Sequence, residues 1–358
     1  MPFAFDRHFW FSEATLKKSY SLLISLLLSC VSLMTVSTHG CLAADVPTAG
    51  ARISLLMGTG MPGGSYHHLG LAMASLWTTK LKNVGIRVSA AISEGARENI
   101  EAIRIQDADL ILADDLSSMM ACKGSGSYKG KAVLELRSIA NLWSEAVHLL
   151  IRADKKKTSG LEDLEGLTVA TGLPESGNRF TTELLLRNLK KQTIKLKFMN
   201  NISAIEGLRT GAVQAADFTS AVPSALVTNL LQPDPELFNF IEITDMDIKA
   251  ARDNGWVTCF RYVIPPDVYP GQEKQINTIG QNTILATSSS LDPEVIYDLV
   301  RSLFENIEQL AKFHPAFKSV SLENALSGLA VPLHPGAIRY YRQKKIHIPE
   351  SLLPPDAE

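Results

Sequence analysis

Short β-rich runs alternate with amphipathic helical patterns along the chain after Pro47. A strand, a glycine-bearing loop and a helix are predicted at 52–77, and the same order recurs at 167–189. Such alternation is typical of parallel sheets with crossover helices, and its recurrence predicts two similarly built α/β lobes. The predicted strands are Ile53–Met57, Ile86–Ile92, Leu110–Ala113, Arg137–Leu142, His148–Arg152, Leu167–Thr171, Ile194–Phe198 and Ala215–Thr219.

Apolar residues at helical spacing predict helices between these strands and in the C-terminal third of the chain. Asp292 and Pro293 are a suitable cap and first-turn residue for the last of them. The predicted helices are Gly70–Leu81, Gly177–Leu189, Ser203–Thr210 and Pro293–Phe313.

The two lobes are expected to be joined by two chain crossings. The chain should leave the first lobe near His148–Arg152 and return near Asn277–Ser288, where the sequence INTIGQNTILATS is β-rich. Two such crossings make a hinge that a ligand can close. The expected lobes are 51–148 plus 285–350, and 149–284.

The N-terminal region has the three parts of an export signal. Arg7, Lys17 and Lys18 precede an apolar, serine-spaced run at 19–36, and small residues lead to Ala43 and Ala44. This pattern predicts a signal peptide, residues 1–43, and an exported mature protein. A retained transmembrane anchor is the alternative, which the serines disfavour, and apolar residues after Cys30 argue against lipoprotein processing there.

Charge and cysteine content narrow the possible functions further. A formal net charge of −2 over 358 residues gives no broad basic surface and no support for nucleic-acid binding.

Cleavage of the signal peptide would leave Cys122 and Cys259, which fall in different predicted lobes. A disulfide between them would oppose hinge closure, so both are expected to be free thiols. The chain has no CxxC motif or Cys/His cluster, and no zinc site or cofactor is expected.

Three loops that follow predicted strands are candidates for ligand binding, at Gly58–Gly70, Ser93–Asn99 and Gly172–Arg179. Each leads into a helix N-terminus, whose free N–H groups suit a carboxylate or a phosphate. The first loop contains GxGxxG, but it lacks the acidic residue of a dinucleotide fold and the lysine of a P-loop. The alternative is that its glycines only make a tight turn.

No catalytic constellation can be assembled from the sequence. Ser65 has no Gly-x-Ser-x-Gly elbow around it, and the adjacent His67 and His68 cannot form an i, i+4 metal pair. Asp114 and Asp115 end a strand, where paired acids are usually solvated. Binding is therefore predicted rather than catalysis.

Five stretches in a fixed order resemble the TAXI family of TRAP-transporter solute-binding proteins. They are GTGMPGGSYHHLG, SEGARENI, LWSEAVHLLIRA, GLPESGNRFTTELLL and LHPGAIRYYR, and the resemblance runs from about Arg52 to Arg342. It implies a two-lobed, type II-like periplasmic binding protein fold with a ligand cleft between lobes joined by hinge strands. It also implies a monomeric receptor that passes a small organic acid, such as glutamate, to a membrane permease. A free-standing sensor module of the same fold is the alternative.

The resemblance and the loop positions together predict the residues of the ligand site. His67, Ala96 and Asn178 depart from the tyrosine, serine and threonine that are usual in the family. The predicted site consists of Gly60, Gly64, Ser65, Tyr66, Gly95, Ala96, Asn99, Asp115, Ser176, Gly177, Asn178, Arg179, Phe218 and Pro223.

Two arginines beside helix starts, Arg97 and Arg179, suggest how an acid would be held. A guanidinium binds a carboxylate through two parallel N–H···O bonds, which lysine cannot reproduce. The expected ligand is a dicarboxylate, a 2-oxo acid or an acidic amino acid, with Arg179 as its main anchor. The alternative is that both arginines are solvated surface charges.

Overall fold

The computed structural model describes residues 53–187 and 193–355. The predicted signal peptide and the end of the predicted helix Gly177–Leu189 lie outside this range. No helix within it is both long and apolar enough to cross a bilayer. The strands are β1 Ile53–Gly58, β2 Ile86–Ala91, β3 Leu110–Asp114, β4 Leu136–Ala146, β5 Leu149–Arg152, β6 Thr168–Thr171, β7 Lys195–Phe198, β8 Ala215–Asp217, β9 Phe238–Phe240, β10 Phe260–Ile264 and β11 Ile276–Ser288. The α-helices are α1 Ser65–Lys80, α2 Ala96–Arg104, α3 Asp115–Lys123, α4 Gly177–Leu185, α5 Asn201–Thr210, α6 Ala225–Leu231, α7 Asp245–Asp253, α8 Pro293–Glu305, α9 Ile307–Phe313 and α10 Pro335–Gln343.

The strands form two separate sheets, which confirms the prediction of two α/β lobes. The first sheet has the order β10-β11-β3-β1-β2, with β4 also paired to β11, and the second has the order β7-β6-β8-β5-β9. Strands β1, β2 and β3 are mutually parallel, as are β6, β7 and β8. Strands β4, β5, β10 and β11 pair antiparallel. Each sheet is therefore mixed, whereas the sequence pattern predicted parallel sheets. Each lobe consists of one sheet and the helices packed on it.

The chain passes between the sheets at two adjacent places. Strand β4 leads into β5 through Val147 and His148, and Val147 donates a backbone hydrogen bond to Ile279 of β11 at 3.0 Å. Strand β11 lies wholly in the first sheet, where it pairs with β10, β3 and β4, so the chain returns to this sheet between β9 and β10. The division into 51–148 plus 285–350 and 149–284 stays a prediction.

His148 lies at the first crossing and is a fully buried core histidine. Its Nδ1 donates to the carbonyl of Phe218 at 2.9 Å, and its Nε2 accepts from the Tyr269 hydroxyl at 2.6 Å. Burial lowers the pKa of the imidazole to about 4, so the ring is neutral at physiological pH. A neutral ring can satisfy one donor and one acceptor at once, which fixes this crossing without a buried charge.

The C-terminal helices pack on the first sheet. Residues of α8 and α10 share one hydrophobic core with α1 and β1, including Ile296, Leu299 and Tyr341. The expected cap is present, because Asp292 accepts from the Glu294 N–H at 2.8 Å. The helix predicted over Pro293–Phe313 is two helices, α8 and α9. At Asn306 the backbone leaves the helical region, and its side-chain amide donates to the Ser302 carbonyl in place of regular helix geometry.

Both described cysteines are free, as predicted. Cys259 is buried in the core of the second lobe, where it packs with Trp256, and Cys122 is partly buried beside the core of the first lobe.

Candidate functional site

A cavity of about 70 Å³ lies between the two lobes, at the carboxyl ends of β1, β3 and β6. Five helices, α1 to α5, have their first or capping residues in its lining. The lining residues are Gly60, Met61, Gly64, Ser65, Tyr66, Glu94, Gly95, Ala96, Asp114, Glu145, Gly172, Leu173, Ser176, Gly177, Asn178, Met199, Asn200, Asn201, Thr219 and Gln281. Ligands of open α/β sheets bind at this edge, so the cavity is the candidate site.

Contacts between the lobes flank the cavity. Glu175 of the second lobe accepts a backbone hydrogen bond from Glu98 at 3.3 Å, and its own N–H donates to the Glu94 carboxylate at 2.9 Å. Arg97 forms an ion pair with the Glu175 carboxylate at 3.5 Å. On the other side, His314 Nε2 donates to the Pro223 carbonyl at 3.1 Å. The lobes are thus held in a closed arrangement.

The part of the lining that the first lobe contributes is acidic. We call Glu94, Asp114, Glu145 and Gln281 the acidic wall. Glu145 is buried and accepts a hydrogen bond from the Ser65 hydroxyl. Asp114 caps α3, because its Oδ1 accepts from the Ser117 N–H at 2.6 Å.

Burial dominates the proton affinity of these carboxyl groups. It raises the pKa of Glu145 to about 7, with the negative charge of Asp114 adding to the effect and the hydrogen bonds from Ser65 and Gln281 opposing it. The pKa of Asp114 is raised for the same reason, although its bond from Ser117 counters the rise. Burial and Asp114 together raise the pKa of Asp115, just outside the cavity, to about 7. An acid held in this way can take up or release a proton near neutral pH.

The part that the second lobe contributes carries no charged side chain among the lining residues. We call Ser176, Asn178, Asn200, Asn201 and Thr219 the amide wall. Helices α4 and α5 begin here, and the side chain of the residue before each helix caps it. Ser176 caps α4 by accepting from the Arg179 N–H at 3.2 Å, and Asn200 caps α5 by accepting from the Ser203 N–H at 2.8 Å. The remaining N–H groups of two first turns give this wall a positive potential.

Nine of the fourteen residues predicted for the site line the cavity. They are Gly60, Gly64, Ser65, Tyr66, Gly95, Ala96, Ser176, Gly177 and Asn178. Their loops lie at the carboxyl ends of predicted strands, and the parallel arrangement brings those ends together.

The other five predicted residues are not in the lining, and each has a structural contact instead. Asn99 donates to the carbonyls of Thr59 at 2.7 Å and Leu112 at 2.8 Å, where it fixes the first glycine loop. Asp115 accepts from the Thr258 hydroxyl at 2.8 Å. Phe218 is in the second-lobe core, and the Pro223 carbonyl accepts from His314.

Arg179, the expected carboxylate anchor, points away from the cavity. Its guanidinium forms an ion pair with Glu183 one helical turn on at 3.0 Å, donates to the Pro174 carbonyl and stacks over the Phe198 ring. Arg97 likewise lies at the contact between the lobes and does not line the cavity. Neither guanidinium is therefore available to the cavity in this arrangement.

The acidic wall and three of the five residues of the amide wall were not predicted from the sequence. Glu145 stands in the apolar strand sequence LWSEAVHLL, where a carboxylate without a nearby cation was a usable signal. Asn200 and Asn201 follow the strand β7, and the first of them is a favourable helix cap. Gln281 lies within β11, and nothing in its local sequence indicates that it faces a cavity.

Replacing Arg179 tests whether its side chain contacts the solute. The Arg179→Ala variant should bind the solute with an affinity within about threefold of wild type, since only the Glu183 pair and the Phe198 stacking are lost, and exposed pairs contribute little. Titration calorimetry with any ligand found for the wild type would measure this. A loss of tenfold or more would return Arg179 to the site.

The chain belongs to the NMT1-like family, whose model matches residues 57–344. Among solved structures it is similar to the alkanesulfonate-binding protein SsuA from Xanthomonas axonopodis pv. citri bound to MOPS, with 16% identity, a TM-score of 0.43, and 85% of this chain and 97% of that chain covered. It is also similar to an ancestral arginine-binding protein bound to arginine, with 14% identity, a TM-score of 0.44, and 75% and 96% covered. A third match is a putative L-cystine ABC transporter protein from Listeria monocytogenes, with 9% identity, a TM-score of 0.44, and 73% and 95% covered. These distant likenesses carry no information about the ligand of this chain.

Proposed function

We propose that this protein is an extracytoplasmic solute-binding receptor that closes its two lobes around a small organic acid and delivers it to a membrane permease. The observation that carries the proposal is the small polar cavity between two lobes that touch through Glu175 and its first-lobe partners. A cavity bounded by two hinged lobes can bind a solute by closure and release it by opening.

The size and lining of the cavity support a compact polar ligand. A volume of about 70 Å³ equals that of about two water molecules at the ~30 Å³ that each occupies in the liquid. That favours a small metabolite over a peptide or a nucleotide. The helix N-termini of the amide wall supply N–H donors for a carboxylate, so no arginine is needed to hold one.

The transport partner and the location are inferred from the sequence. The TAXI resemblance of the five stretches supports a TRAP-type permease as the partner and a monomeric receptor. The N-terminal pattern supports export through a signal peptide of residues 1–43. We propose that the lining residues bind the solute and that the two lobes divide near His148 and Leu285.

A thermal-shift screen tests the proposal. Purified protein should melt at a higher temperature with some members of a panel of dicarboxylates, 2-oxo acids and amino acids, because a ligand that binds only the folded state stabilises it; at 100 times Kd the gain is about 2.7 kcal/mol. The bound compound should be recovered unchanged after prolonged incubation. Turnover would argue for an enzyme, and a neutral sugar as the strongest ligand would argue against an acid receptor.

A further inference from the structure

Two buried acceptor atoms in the acidic wall have no donor. Asp114 Oδ2 and Gln281 Oε1 accept no hydrogen bond from any described residue, although both side chains are almost fully buried, with exposures of 0% and 1%. A buried acceptor left unpaired is costly, and folded proteins keep few of them. Both residues line the cavity, so a molecule inside it can reach them.

The Gln281 side chain lies beside the Glu145 carboxyl group, whose pKa it lowers. The amide oxygen of Gln281 has no hydrogen-bond partner among the described residues. The oxygen is therefore the atom left for the cavity. Asp114 Oδ2, Gln281 Oε1 and the Glu145 carboxylate together make a cluster of acceptors on one side of the cavity.

No cationic side chain lies beside this cluster in the described lining of the cavity. The lining, within the residues described, contains the carboxylates of Glu94, Asp114 and Glu145 but no lysine, arginine or histidine. Arg97, outside the lining, forms an ion pair with Glu175, and its charge lowers the pKa of Asp114 against the larger effect of burial. Arg179 pairs with Glu183. The positive helix N-termini belong to the second lobe, and the first residue of α4, Gly177, lies against Asp114. The cavity is thus polarised, with acceptors on the first lobe and N–H donors on the second.

We propose that the solute carries a protonated nitrogen which donates to Asp114, Gln281 and Glu145, while its carboxylate lies against the amide wall. This inference rests on the proposed receptor function and narrows the ligand to an acid that also bears an ammonium or a similar N–H-rich cation. A dicarboxylate or a 2-oxo acid would leave the two acceptors unpaired and place a second negative charge beside Glu145 and Asp114.

The raised proton affinity of Glu145 agrees with this arrangement. Without a cation, burial and the nearby Asp114 favour the protonated form, and its pKa is about 7. An ammonium group at hydrogen-bond distance would favour the charged form and release the proton. Binding should then weaken as the pH falls below about 7, because protons compete with the solute for Glu145. An acid without the nitrogen should show the opposite trend.

Matched ligand pairs that differ only in the amine provide the test. Titration calorimetry would compare L-glutamate with glutarate, L-aspartate with succinate and L-alanine with propionate, and would include agmatine as a cation without a carboxylate. The amine-bearing member of the bound pair should bind at least ~10-fold more tightly, the effect of one charged hydrogen bond. Its affinity should fall as the pH is lowered from about 8 to about 5.5.

Variants of the acceptor cluster add a second readout. Glu145→Gln keeps an acceptor for Ser65 but removes the charge, and Asp114→Asn does the same at α3. Each should weaken the amine-bearing ligand by ~10-fold or more and change the amine-free partner by less than about threefold. Asp163→Asn is the matched control, since Asp163 is a buried carboxylate that caps the backbone at 157–159, outside the lining, and it should change neither affinity.

The outcomes separate this inference from the receptor proposal. Equal or tighter binding of the amine-free members would overturn the inference and leave the acid receptor standing. Binding of agmatine alone would support the cation cluster and refute an acid ligand. Binding of no compound in the panel would count against both. Where a variant fails to fold, the pH trend of the wild type still decides.

Discussion

The Gly177→Ala variant should lose most of its ligand affinity while it remains folded. Gly177 is the first residue of α4 and packs against the first lobe, so that a methyl group added to it would overlap Asp114 Oδ2 and come within 3.5 Å of the Ala96 Cβ. Asp114 cannot swing away freely, because its other oxygen caps α3 through the Ser117 N–H. The closed arrangement therefore has no room for the side chain.

Overpacking of this kind costs ~1–3 kcal/mol, and here the cost falls on the closed form alone, since separating the lobes relieves the overlap. Because each ~1.4 kcal/mol corresponds to a factor of ten, affinity should fall by roughly 5- to 150-fold. Titration calorimetry would measure the affinity, and small-angle scattering would show whether the variant stays open when ligand is added.

Gly166→Ala is the control for the cost of replacing a glycine. Gly166 lies in the second lobe with φ +82° and open space around its Cα, so an alanine there is strained by its backbone but touches nothing. It should lower stability by ~1–2 kcal/mol and leave affinity unchanged. If Gly177→Ala binds within threefold of wild type, the closed arrangement is not the binding form.

The sequence was sufficient to predict the strand at 276–288 and the loops that meet at the cavity. INTIGQNTILATS has too many β-branched and apolar residues for a surface loop, and it is the single strand β11. The glycine loops after β1 and β6 lie at carboxyl ends of parallel strands, so their meeting follows from the topology alone.

The side-chain partners could be predicted only where they are local in sequence. Arg179 and Glu183 are one helical turn apart, and that spacing alone was evidence for an ion pair on α4. Ser65 and Glu145 are 80 residues apart, and Gly177 and Asp114 meet at the contact between the lobes. Such contacts depend on how the sheets are placed, which no local pattern determines. The charge of the cavity was missed for this reason.

Glu145→Gln should make the ligand-free protein more stable at alkaline pH, even though it weakens binding. Burial raises the pKa of Glu145 from 4.5 to about 7, so the folded state holds its proton more tightly than the unfolded state does. A group of this kind lowers stability as the pH rises from about 4.5 to about 7, because the unfolded state releases the proton that the folded state still holds. At 1.36 kcal/mol per pKa unit, the accumulated cost at pH 8 is about 3 kcal/mol.

Denaturant unfolding at pH 8 should therefore show the variant more stable than wild type by ~2–4 kcal/mol, and at about pH 4 the difference should vanish. Asp115, Asp217, His148 and His334 also titrate with shifted pKa values, but they are present in both proteins and largely cancel in the comparison. Glu206→Gln, at an exposed position on α5, should differ little from wild type at either pH. A side chain whose charge destabilises the fold but strengthens binding is retained for the ligand. Equal stability of Glu145→Gln and wild type at pH 8 would show that Glu145 bears no such cost, and would remove this argument for its role.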